Sequence, residues 1–181
     1  MMTSPLTKRL VALALLVPCA LWLTGCGSCK PGRPGPIGTY DIEVTLDPSL
    51  QQGAVVVDLV GVNVGSLPDW ENYPMSQYWQ DGNQRRRDAD KHTLNFALKK
   101  SAKEILPATD DKWKQWQTKN VTHVLVLADL PGSFNDAPGN ADARRKVLPL
   151  DRCHWTAGTK KLALHVKPTL IEIQSPTRQT K

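Results

Sequence analysis

Tyr40 to Asp47 reads YDIEVTLD, and this stretch decides the fold. Ile42, Val44 and Leu46 alternate with Asp41, Glu43 and Thr45. A period of two belongs to a strand with one face in a core and the other in water. A polar link, Pro48 to Gly53, leads into AVVVDLVGVN (54–63), whose unbroken β-branched run predicts a strand buried on both faces or central in its sheet. Downstream, HTLNFALK (92–99) alternates again, with Leu94, Phe96 and Leu98 facing inward, and VTHVLVLADL (121–130) is a further apolar run. RKVLPLD (145–151) is short, and Pro149 cannot donate to a ladder, so it reads as an edge or interrupted strand. KKLALHVKP (160–168) sets Leu162, Leu164 and Val166 on one face, and TLIEIQ (169–174) closes the series. No run fits a long amphipathic helix.

Three connections exceed simple turns. Val64 to Asp90 holds Trp70, Tyr73, Met75, Tyr78 and Trp79, enough for one or two short helices. Ser101 to Asn120 contains TDDKWKQW, where Thr109 can cap a helix, Asp110 and Asp111 suit its positive end, and Trp113 and Trp116 share a face. Gly132 to Ala143 is polar and carries glycine and proline, which predicts a mobile surface loop. The fold class expected is mainly β: a two-layer antiparallel β-sandwich of about seven strands with short helical insertions.

The N-terminus is built differently. Lys8 and Arg9 precede Leu10–Leu23, which is almost wholly apolar, and Thr24 and Gly25 lead to Cys26. Fourteen residues of helix reach roughly 21 Å, short of a hydrocarbon core of about 30 Å. Positive flank, short apolar run and small exit residues are the parts of a secretory signal peptide. Leu23-Thr24-Gly25-Cys26 resembles a bacterial lipobox, which implies a lipid on the Cys26 sulfur and cleavage before it. Residues 1–25 then read as signal peptide, 26–38 as a Pro/Gly-rich tether, 39–175 as the sandwich domain and 176–181 as a tail.

A lipidated Cys26 has no thiolate, so the Cys26–Cys29 spacing is neither a redox pair nor half of a zinc site. Cys29 and Cys153 remain in the processed chain, in an oxidising compartment, and are expected to pair.

The formal charge is +6, with basic residues clustered at Arg85-Arg86-Arg87 and Arg144-Arg145-Lys146, among others. Such runs read as solvated turns, and no nucleic-acid motif accompanies them. The sequence carries no nucleophile elbow, zincin helix or phosphate loop, so no catalytic residue is expected. His123 and His165 lie within strands as exposed or hydrogen-bonded residues, and Cys153-His154 with Cys29 makes too poor a ligand set for a metal. Apart from the covalent lipid on Cys26, no cofactor is expected. The remaining candidates for recognition are Trp70, Trp79, Trp113 and Trp116. They either bury the insertions against the sheets or form an exposed platform for carbohydrate or peptidoglycan.

The order of these features resembles the outer-membrane lipoprotein family of type VI secretion, TssJ or VasD/Lip. A lipobox precedes YDIEVTLD, a link with DPSL, the apolar VVVDLVGV, the aromatic insertion DWENYPMSQYW, VTHVLVLADL, ARRKVLPLD and KLALHVKPTLIEI. The resemblance implies a transthyretin-like sandwich with helical additions and a non-catalytic role. It implies a protein held in the outer membrane and facing the periplasm, bound to the periplasmic domain of an inner-membrane secretion subunit. The family's partner-binding link maps to Ser49, Leu50, Gln51 and Gln52. Gly27, a non-aspartate after Cys26, favours the outer membrane by analogy with lipoprotein sorting.

Overall fold

A computed structural model describes residues 29, 34–96 and 101–178. Residues 1–25, read from the sequence as a signal peptide, and Cys26, Gly27 and Leu98 lie outside the described residues.

Eight strands form: β1 (Asp41–Leu46), β2 (Val55–Val62), β3 (Lys91–Phe96), β4 (Lys103–Leu106), β5 (His123–Ala128), β6 (Arg145–Pro149), β7 (Lys161–Lys167) and β8 (Leu170–Ile173). They make two four-stranded sheets, ordered β4-β1-β7-β8 and β3-β2-β5-β6. The two-layer β-sandwich with short helices is therefore what this chain forms. Seven strands coincide with the periodic runs. The eighth, β4, lies in the Ser101–Asn120 connection, where only a helix was expected, because its four residues are too few to show a period.

One pairing departs from the antiparallel expectation. β1 runs parallel to β7, from Asp41 opposite Lys161 to Leu46 opposite Val166. Both strands begin at the same end of the sandwich, β1 after the N-terminal segment and β7 after the turn that follows Cys153. Antiparallel pairing would require one of them to enter from the other end. The remaining pairs are antiparallel.

The inner faces meet in a core of Ile42, Val44 and Leu46 with Val57, Leu59, Val124, Val126, Leu162, Leu164 and Val166. This is the predicted alternation at work, since Asp41, Glu43 and Thr45 stay on the outer face of their sheet. β2 and β5 are central in their sheet, and their other face is buried as well. There Val60, Val62, Leu125 and Leu127 pack with Met75, Tyr78 and Val147 in a second cluster. The cover is the insertion after β2, folded as three short helices: α1 (Leu67–Glu71), α2 (Met75–Tyr78) and α3 (Gln84–Asp88). β6 lies at the edge, as Pro149 requires.

A fourth helix, α4 (Asp111–Thr118), plugs one end of the core. Its cap is Asp110, whose side chain accepts from the Lys112 amide, one residue beyond the expected Thr109. Trp116 lies flat enough against β2 that a Cβ on Gly61 would come within 2.4 Å of its indole nitrogen. Only a residue without a side chain fits there.

Candidate functional site

The two ends of the sandwich carry different machinery. At one end, Cys29 and Cys153 form a disulfide with Cα atoms 5.4 Å apart, as expected from the sequence. The incoming chain is zipped along the same corner: Arg152 donates its amide to Pro36, Ile37 bridges Asp151, and Gly38 donates to Leu150. Trp155 anchors the corner from below, buried in the core with its indole donating to Pro149 at 2.8 Å. Tyr40 lies beside it; burial pushes its phenol up, with Arg152 pulling the other way.

The opposite end holds the link expected to bind a partner. β1 separates the two ends by about 17 Å at the usual rise per residue. After Leu46, a 3₁₀ turn spans Pro48–Leu50, with Asp47 as its cap. The Asp47 carboxylate accepts from both the Ser49 amide (2.9 Å) and the Ser49 hydroxyl (2.6 Å). Those two bonds hold its pKa down.

Of the four residues mapped to partner binding, three remain on the surface. Ser49, Gln51 and Gln52 are exposed. Leu50 is 4% exposed and belongs to the core, so it fixes the link rather than meeting a partner. Its burial follows from the turn, which swings one residue of a polar link under the sheet edge. Beside the link is a groove of about 220 Å³, lined by Ser49, Leu50, Gly53, Ala54, Val55, Asp129, Leu130 and Pro131. Asp129 is exposed as a residue. The wall behind it nevertheless desolvates its carboxyl and raises its pKa, against the pull of Arg86.

The tryptophan platform does not form. Trp113 is 3% exposed and Trp116 is 1% exposed, both in the central core. Their rings meet edge to face at 86°, and their N–H groups are spent on the carbonyls of Pro107 and Asp90. Trp70 and Trp79 pack against the second cluster, each edge to face with Tyr78. Arg85 stacks on Trp70 at 4.3 Å and on Tyr73 at 4.6 Å, while Arg86 lies 4.3 Å from the Trp79 ring. With Arg85 over Trp70, Arg86 over Trp79 and each indole crosswise to Tyr78, these rings are engaged in packing the insertion. The i,i+3 spacing that suggested a shared face is the spacing of a core contact.

The charged runs hold what sequence reading missed. Arg145 is 0% exposed, and no carboxylate bonds it among the described residues. Its guanidinium donates to the carbonyls of Trp70 (2.9 Å), Tyr73 (2.8 Å), Gly139 (3.0 Å) and Ala137. Desolvation lowers its pKa, with Asp142 opposing. Arg144 beside it is bonded by Asp142 and Asp136, and Asp136 accepts from the Ser76 amide at 2.8 Å. The Gly132–Ala143 segment, expected as a mobile loop, is thereby tied to the helical insertion. Its glycine and proline content allowed the path, and two arginines from β6 and its approach fixed it.

At the centre of β2, Asp58 is 0% exposed and accepts from Tyr78 (2.9 Å), Arg86 (2.8 Å) and Thr93 (2.6 Å). Burial, reinforced by Asp58, pushes the Tyr78 phenol far up. Asp58, Arg144 and Arg145 thus fasten a wall to a sheet. No cluster of metal ligands occurs among the described residues.

No family model and no curated protein matches the sequence. Among solved structures, the chain is similar to one from the T6SS protein TssM C-terminal domain of EAEC. The identity is 10%, the TM-score 0.49, and the match covers 75% of this chain and 99% of that one. It is also similar to Lip of Serratia marcescens, a membrane-bound component of the Type VI Secretion System, at 8% identity and a TM-score of 0.45, covering 74% and 95%. The T6SS lipoprotein TssJ1 of Pseudomonas aeruginosa matches at 12% identity and a TM-score of 0.39, covering 81% of this chain and 100% of that one.

Proposed function

We propose that this protein is a lipid-anchored, periplasm-facing assembly module of a type VI secretion membrane complex, which binds the periplasmic domain of an inner-membrane subunit. The observation that carries the reading is positional. The lipobox cysteine precedes Cys29 by three residues, Cys29 is fastened to one end of the sandwich, and the exposed Ser49–Gln52 link occupies the other. A lipid on Cys26 then holds the domain with its link directed away from the outer membrane. Multiple acyl chains make such residence stable where one would not. The role is one of binding and needs no catalytic group.

Capture of the mature protein from envelope extract tests this. The expected result is recovery of an inner-membrane secretion subunit, weakened at least about tenfold by Gln51→Ala with Gln52→Ala, the loss of a few interface contacts. Recovery of cell-wall fragments alone overturns the proposal.

A further inference from the structure

Arg152, Lys160 and Arg178 are exposed and form no ion pair among the described residues. All three surround the disulfide corner. Arg152 precedes Cys153 and lines a shallow hollow together with Lys160, Thr39 and Tyr40. Arg178 joins the corner through its amide, which donates to the His154 carbonyl at 2.9 Å. The one carboxylate in this turn, Asp151, accepts the Cys153 amide at 2.7 Å and offsets one charge, which leaves the cations in excess. Elsewhere the cations are mostly matched: Lys103 and Lys161 share Glu43, Lys112 and Lys119 share Asp90, and Lys167 meets Glu172.

The geometry points to this corner as a lipid-facing surface that rests on anionic headgroups. The inference builds on the proposed acylation of Cys26. Two residues, Gly27 and Ser28, separate Cys26 from Cys29, and the three steps span at most about 11 Å. Without the disulfide, the first of the described residues hydrogen-bonded to the fold is Pro36, which the chain from Cys26 reaches over about 35 Å. The cross-link therefore confines the Cys153 corner to roughly one Debye length from the bilayer, where unpaired cations feel the negative surface potential. Charge, tether and disulfide coincide at one end, and the partner link stands at the other.

Hydrogen exchange of the membrane-extracted protein, reconstituted in phosphatidylcholine vesicles or in mixed phosphatidylcholine and phosphatidylglycerol vesicles, tests the surface. Amides of residues 152–160 and 177–178 are expected to exchange at least about fivefold more slowly in the anionic vesicles. About 0.5 M salt should abolish that difference. Arg152→Gln, Lys160→Gln and Arg178→Gln together should also abolish it while leaving β2 and β5 amides unchanged. Equal exchange in both vesicles, from protein whose Cys26 carries lipid by mass spectrometry, overturns the surface alone. An unmodified Cys26 in a processed chain overturns the anchor, and the surface with it.

Discussion

Tyr78 donates its phenol to Asp58 at 2.9 Å, joining the second helix of the insertion to the middle of a central strand, with both side chains fully buried. A carboxylate in such a place is tolerable only because Thr93 and Arg86 complete its shell. Tyr78→Phe removes one bond and leaves two, and should cost about 1–2 kcal/mol in urea unfolding. Asp58→Ala leaves Arg86 and Tyr78 facing an apolar wall without an acceptor. It should cost about 3–5 kcal/mol, the size expected for breaking a buried pair. Equal costs for the two variants would mean that Arg86 is satisfied elsewhere.

Arg145 carries the insertion and the 132–143 segment together, since its fork reaches carbonyls on both. Arg145→Lys keeps the charge but cannot span those acceptors. It should raise hydrogen exchange in residues 67–79 and 132–143 by at least about tenfold, with the β1 and β7 ladders unaffected. Uniform acceleration across both sheets would show that the wall and the sandwich open as one unit.

The Cys29–Cys153 link closes a separation of 124 residues. In the chain-entropy model a loop of this size contributes roughly 4–5 kcal/mol, and measured losses run about 2–5 kcal/mol. Cys29→Ser with Cys153→Ser should lower the urea midpoint accordingly while leaving the far-ultraviolet circular dichroism of the native state unchanged. A midpoint that does not move would mean that the pairing of residues 36–38 with 150–152 alone orders the N-terminal segment.

Burial lowers the pKa of His92 and of His123 from the ordinary 6.5. Below about pH 6.5 the unfolded chain takes up protons that the folded chain resists, so stability falls as the pH drops from there toward each lower folded value, and levels off beneath it. Above that range both states are neutral and neither histidine contributes. The urea midpoint should decline as the pH falls below about 6.5, and His92→Gln with His123→Gln should flatten that part of the curve.

The alternation in β1, β3 and β7 announced their inner faces because burial of one sheet face imposes a period of two on adjacent residues. The run in β2 announced a strand covered on both sides. The candidate site was legible less evenly. The exposed turn at Ser49–Gln52 could be placed by its polarity and its proline, while the burial of Leu50 depends on how the turn packs. The Arg144-Arg145-Lys146 run gave no hint of its structure. A charged residue looks the same in sequence whether water or four backbone carbonyls satisfy it, and those carbonyls come from residues as far away as Trp70.

By itself, the sequence determined seven of the eight strands and the two cysteines that join. Each is a property of neighbouring residues or of residue chemistry. Only the tertiary structure decided that β1 lies parallel to β7, that Trp113 and Trp116 face inward, and that the Cys29–Cys153 disulfide and the turn at Ser49–Gln52 stand at opposite ends. Those outcomes depend on which distant segment arrives beside which. Pairing partners and buried acceptors are chosen by the whole set of contacts, and no local period records that choice.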